Sequence, residues 1–234
     1  MGLKEWVKSL GLAFILFLLI RTFLVQAFKI PTGSMESTLL VGDFLLVNKL
    51  AYGATTPHRL PWLGMELPEL SIPGYDSPDR GDIVVFEYPF DRSLDYVKRC
   101  VAVAGDTVEM RNKVLYINSI PQDEPYAQYL DPTIYRKGED TFFAGNFSWQ
   151  FDYLTEKTDG RVGEYRPTRD NFGPLAVPEN NYFCLGDNRD HSSDSRYWGF
   201  VDRKLIEGTP MILYFSWDNS QLFPRFSRIG HLLD

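Results

Sequence analysis

The chain has 234 residues, 44% hydrophobic and 24% charged, and its 24 Lys and Arg against 31 Asp and Glu leave a net charge of −7. That balance excludes a chain built to neutralise phosphates, because nucleic-acid binders carry a basic surplus. Two cysteines, Cys100 and Cys184, and three scattered histidines exclude a disulfide scaffold and a Cys/His metal site, and nothing in the sequence calls for a cofactor.

In chain order, Lys4, Trp6 and Lys8 precede an apolar run from Leu10 to Ile20, which Arg21 interrupts and Phe23 to Phe28 resumes. Ser9 to Phe28 has the ~20 residues that a bilayer requires, and an Arg near a helix end snorkels to the interface. The same segment also reads as a cleaved signal peptide, with Val25-Gln26-Ala27 as its cleavage site. The residues alone leave both readings open. Either one keeps the N-terminus in the cytoplasm and exports everything after Phe28, into a compartment where Cys100 and Cys184 are open to oxidation.

Ile30-Pro31-Thr32-Gly33-Ser34-Met35 follows. Pro31 fixes its own φ and biases Ile30 toward extended backbone, and Gly33 lets another chain approach closely. The stretch presents Ser34 as a nucleophile beside the membrane, or is simply a turn. Phe44 to Val47 reads as a short strand. Thr55 to Pro78 reads as a loop whose large apolar residues contact lipid or pack on their own domain.

Ile83 to Phe86 has a buried-strand pattern, and Leu94 to Val103 is the next strand. Its period of two puts Tyr96, Lys98, Cys100 and Ala102 on one face and Val97, Arg99, Val101 and Val103 on the other. Lys98 therefore stands mid-strand, either snorkelling to solvent or desolvated. Desolvation disfavours the ammonium and yields a neutral amine able to act as a base. Val108–Met110 and Val114–Ile117 form a hairpin, and residues 121–178 read as an inserted β-rich region without visible chemistry. A strand from Asn181 to Leu185 runs into Gly186–Arg196, a polar loop with the composition of a pinned hydrogen-bond network. Met211 to Trp217 is the last strand, and the tail from Phe223 to Gly230 alternates aromatic and basic residues as an interfacial anchor does.

Four ordered blocks carry a resemblance: Pro31-Thr32-Gly33-Ser34-Met35 with Thr38-Leu39 and Gly42-Asp43; Arg80 to Phe86; Tyr96-Val97-Lys98-Arg99; and Gly186-Asp187-Asn188-Arg189-Asp190 leading to Ser192, Asp194, Ser195 and Arg196. With the N-terminal apolar segment before them, the chain resembles bacterial type I signal peptidases. The resemblance implies a mainly β fold, an antiparallel catalytic core with an inserted β-rich region behind one transmembrane helix. The implied divisions are a cytoplasmic 1–8, an anchor over 9–28, a core over 29–120 and 179–234, and the insertion 121–178.

It further implies a serine endopeptidase of the cytoplasmic membrane, with its catalytic domain on the outer side, that removes signal peptides from exported preproteins after small-x-small sequences. Ser34 matches the nucleophile and Lys98 the general base, a variant of the triad logic. Thr32 matches an oxyanion donor, Ser192 the hydroxyl that orients the lysine, and Asp194 with Arg196 a supporting ion pair touching Arg99. Phe28, Ile30, Leu39, Tyr96 and Val97 match the walls of small substrate pockets. The anchor is kept in that family, while Val25-Gln26-Ala27 stays open as a self-cleavage site. A specialised pilus- or conjugation-type Ser-Lys peptidase, and a non-catalytic membrane-tethered β-domain that binds exported chains, are the competing readings.

Overall fold

The N-terminal apolar run folds as a helix that stops earlier than its hydropathy implies. In the computed structural model, which describes residues 2–55, 70–136, 147–155 and 165–233, α1 covers Leu3–Phe23. Its first turn is closed by Gly2 N–H donating to Glu5 Oε2 at 3.1 Å. Leu24 still bonds back to Ile20 O, but the next residues leave the helix as β1 (Val25–Lys29). The expected anchor over 9–28 is therefore corrected at its end, because its last residues are claimed by sheet pairing. Among the described residues no helix is long and apolar enough to cross a membrane. Lys4, Glu5, Lys8 and Arg21 all fall inside α1, yet its apolar side chains from Trp6 to Ile20 are exposed.

The remaining elements are short and mostly strands, as expected for a mainly β chain. β2 (Asp43–Asn48), the one-turn α2 (Lys49–Tyr52), β3 (Gly53–Thr55) and β4 (Ser71–Pro73) come first. β5 (Ile83–Tyr88), β6 (Asp91–Ala102), β7 (Thr107–Arg111), β8 (Val114–Ile117) and β9 (Ile120–Pro121) follow. β10 (Phe172–Ala176), β11 (Asn181–Leu185), the one-turn α3 (Ser195–Trp198), β12 (Val201–Asp202), β13 (Ile206–Asp218), β14 (Phe223–Pro224) and β15 (His231–Leu232) complete the described order. β3 and β4 pair at the two ends of the expected apolar loop, most of which lies outside the described residues.

Two compact units divide the chain, and not where the sequence implied. The first comprises Met1–Lys29, Gly42–Ser77 and Glu207–Asp234. Here β2 pairs antiparallel with β1 on one side and β13 on the other, and β14 and β15 add to β13. Phe28 sits opposite Leu45 and Ala27 opposite Leu46, so the Val25-Gln26-Ala27 stretch is paired in a ladder. The basic residues of the tail are likewise occupied: Arg228 pairs with buried Asp43 at 2.7 Å and Arg225 with Asp218 at 3.2 Å. Phe223 and Phe226 remain exposed.

The second unit comprises Ile30–Val41 and Pro78–Ile206. One sheet runs β5–β6–β11–β12 and another β10–β7–β8–β9. Both feed one core, in which Val101, Val108, Met110, Leu115, Phe172, Leu175, Phe183 and Leu185 are all buried. Within the expected insertion 121–178, β10 pairs with β7 and buries Phe172 and Leu175 in this core. In β6 the outer half is exposed, and from Lys98 to Ala102 every residue is buried on both faces. β11 lies antiparallel beside it with Cys184 opposite Cys100. Both thiols are free and fully buried.

Candidate active site

Lys98 is where β6 passes from solvent into the core. Val84 of β5 is its strand partner, and only 4% of the residue is exposed. An aliphatic stem fits that surrounding, but an ammonium does not. Burial is the largest influence on the amine, and it lowers the pKa from the ordinary lysine range to about 8. Asp194, Cys184 and Asp187 pull it back up, and Arg196 pushes it further down. The Nζ has two oxygen neighbours, Ser34 Oγ at 2.7 Å and Val97 O at 3.0 Å, and lies 5.2 Å from the centre of the Tyr96 ring.

The Gly33-Ser34 backbone is held by Asn188, in the loop that follows β11, through its backbone and its side chain. Asn188 N–H donates to Ser34 O at 3.1 Å, and Asn188 Nδ2 donates to Gly33 O at 3.1 Å. Within the turn, Leu39 N–H donates to Met35 O at 2.8 Å, and Ile30, Met35 and Leu39 are buried beneath it. The β6–β11 register sets Leu185 opposite Arg99, so Gly186 falls level with Lys98. A Cβ at Gly186 would stand 2.2 Å from Ser192 Oγ and 2.5 Å from Ser34 O. The absence of a side chain there is what lets the nucleophile turn and the loop meet.

The loop itself is pinned. Asp194 grips Arg196 through two bonds of 2.8 and 2.9 Å, accepts from Gly186 N at 3.1 Å, and caps α3. Burial is the largest influence and would raise the Asp194 pKa, but the Arg196 guanidinium and the hydrogen bonds the carboxyl accepts together hold it below the usual value. The expected contact of this pair with Arg99 is not formed. Arg99 instead takes Asp187 through bonds of 2.9 and 2.7 Å and donates to Gly81 O at 2.6 Å. Its place on the opposite face of β6 from Lys98 accounts for the difference.

Ser192 is fully buried against Gly186, and its Oγ has no hydrogen-bond partner in the structure. No bond between Ser192 Oγ and Lys98 Nζ is formed, and Nζ donates to Val97 O instead. Thr32 is exposed in the Ser34 turn. Ile30, Leu39, Tyr96 and Val97 belong to the Ser34–Lys98 unit, whereas Phe28 sits in β1 of the first. The sequence reading missed Asn188 as a tether, although a side-chain amide just after Gly-Asp is a recognisable turn anchor. It also missed Gln150, whose Nε2 donates to Arg196 O at 3.1 Å and whose Oε1 accepts from Tyr165 at 2.6 Å.

The family model described as signal peptidase, peptidase S26 matches residues 3–215. A signal peptidase I of Pseudomonas aeruginosa is 38% identical over 97% of this chain and 78% of its own. One of Aquifex aeolicus is 34% identical over 95% and 88%. A crystal structure of a signal peptidase I from Enterococcus faecalis is 31% identical and covers 57% of this chain and 97% of that one, with a TM-score of 0.36. The chain belongs to the signal peptidase family, peptidase S26, and is a serine endopeptidase.

Proposed function

We propose that the chain removes signal peptides from exported preproteins, cutting after small-x-small sequences such as Ala-x-Ala, with Ser34 as nucleophile and neutral Lys98 as general base. The observation that carries this reading is the 2.7 Å separation of Ser34 Oγ and Lys98 Nζ in a buried setting that favours the free amine. With the amine neutral, the Ser34 hydroxyl donates to Nζ. As Oγ attacks the scissile carbonyl, the proton passes to Lys98. The ammonium so formed is transient, and the negative charges of Asp194 and Asp187 favour it at that moment. It then protonates the leaving amine, and a water, activated by the same base, hydrolyses the acyl-enzyme. Ser34 N–H and the Thr32 hydroxyl are the proposed oxyanion donors. Ile30, Leu39, Tyr96 and Val97 are the proposed walls of shallow apolar pockets that reject larger side chains by overpacking.

α1 is the proposed membrane anchor, with its N-terminus cytoplasmic and the catalytic residues outside. Leu3–Phe23 is not by itself long and apolar enough to cross a membrane, and the reading rests on its exposed apolar surface and on the family. Apolar side chains exposed all round a helix support that reading. One experiment tests both parts: the full chain is reconstituted in lipid vesicles and given a preprotein with an Ala-x-Ala site. Ser34→Ala and Lys98→Ala should lose cleavage while floating with the vesicles as the parent does. Parental turnover by either variant overturns the dyad, and a parent chain that stays soluble overturns the anchor.

A further inference from the structure

Behind the catalytic loop runs a strap, residues Glu124–Asp131, from the region the sequence left without chemistry. Gln128 forms a parallel bridge with Asn188. Its N–H donates to Asp187 O at 2.7 Å, and its carbonyl accepts from Arg189 N at 2.9 Å. Glu124 holds the Arg189 guanidinium with both oxygens, at 2.7 and 2.5 Å, and Arg189 Nε donates to Gly186 O at 3.1 Å. The Glu124 side chain is 8% exposed and that of Arg189 0%. Tyr126 lays its ring 3.9 Å from the Arg99 guanidinium, next in sequence to Lys98. Asp131 N–H donates to Asp190 at 2.8 Å.

These bonds end on the residues that set the dyad. Gly186 meets Ser34 O and Ser192 Oγ with no room for a methyl group, and Asn188 tethers Gly33 and Ser34. We propose that the Glu124–Asp131 strap is a positioning element of the catalytic site, and that Glu124, acting through Arg189 and the Gly186–Asn188 backbone, holds Ser34 and Lys98 at reacting distance. The inference rests on the dyad reading above. Without the Glu124 carboxylate the buried Arg189 keeps only the neutral partners Tyr129 Oη, at 3.0 Å, and Gly186 O, and it shifts toward water because an uncompensated buried charge is far costlier than a paired one. The Gly186 carbonyl then loses its donor, and the backbone that tethers Ser34 slackens. Water also gains access to the Lys98 amine, which faces Asp194, Asp187, Cys184 and Arg196 together with the Tyr96 ring.

The test is steady-state cleavage of an Ala-x-Ala substrate by the full chain in detergent, across pH, for Glu124→Gln and Glu124→Asp. Glu124→Gln should lower kcat roughly 10- to 100-fold with KM unchanged, the signature of lost geometry rather than lost binding. The acid limb of its pH profile should move to higher pH, because a less buried amine holds its proton more tightly. Glu124→Asp keeps the charge and should recover part of kcat. A Glu124→Gln chain with a lower Tm but parental kcat and acid limb overturns the proposal and leaves the strap a structural brace. Should Glu124→Gln fail to fold, Tyr126→Leu decides, since it uncovers Arg99 without stranding a charge: a fall in kcat supports the strap, and parental kcat overturns it. Inactive Lys98→Ala beside unaltered strap variants overturns the strap alone. Active Lys98→Ala overturns the dyad reading instead.

Discussion

Lys98 carries a conflict between stability and chemistry within one side chain. Burial depresses its pKa to about 8, so below that pH the amine is protonated and cannot take the Ser34 proton. The cleavage rate should fall about tenfold per pH unit below pH 8 and level off above it, measured as kcat against pH. The stability effect has the opposite meaning for the fold. The unfolded chain holds the lysine proton up to the ordinary range, so between about pH 8 and 10 it binds more protons than the folded chain, and stability rises with pH across that window. Below pH 8 the full penalty of the buried ammonium, about 3 kcal/mol, remains. Lys98→Met should therefore be inactive yet more stable by about 2–3 kcal/mol at pH 7, with the gain shrinking by pH 10, as thermal unfolding would read. At this scale the sequence was most legible. Residue type alone left Ser34 open as a turn residue and Lys98 open as a solvated side chain, and it was the resemblance carried by the four ordered blocks that singled them out. The partner of Arg99 was not legible, because it depends on the face of β6 from which the side chain leaves.

Among the elements, β6 could be read from its alternation almost to its ends: Leu94 to Val103 was expected and Asp91–Ala102 is found. The end of α1 could not, because Val25 and Phe28 suit a helix in lipid and a strand in a sheet equally well, and pairing with β2 decides. The turn after β11 is the element on which the site depends most. Gly186→Ala would drive a methyl group into Ser192 Oγ and the Ser34 carbonyl. The expected result is a loss of kcat of about 100-fold or more with secondary structure retained, checked by cleavage kinetics beside circular dichroism. Retained activity would mean that the nucleophile turn and the loop can separate without cost.

At the scale of the whole molecule, what the sequence concealed is ion pairing across long stretches of chain. Arg189 and Arg196 are among the largest fully buried side chains, although composition alone assigns arginines to the surface. Asp194 is a near neighbour of Arg196 and that pair was expected, but Glu124 lies 65 residues before Arg189 and left no local trace within 121–178. The same register that builds the site places Cys184 directly opposite Cys100, both free and fully buried, on the two strands that lead to Lys98 and Gly186. Burial pushes the Cys184 thiol well above its ordinary pKa, so the closed molecule is nearly inert to thiol reagents. Alkylation must wait until β6 and β11 part. Its rate, followed with no substitution anywhere in the chain, is a clock for how often the catalytic strands come open.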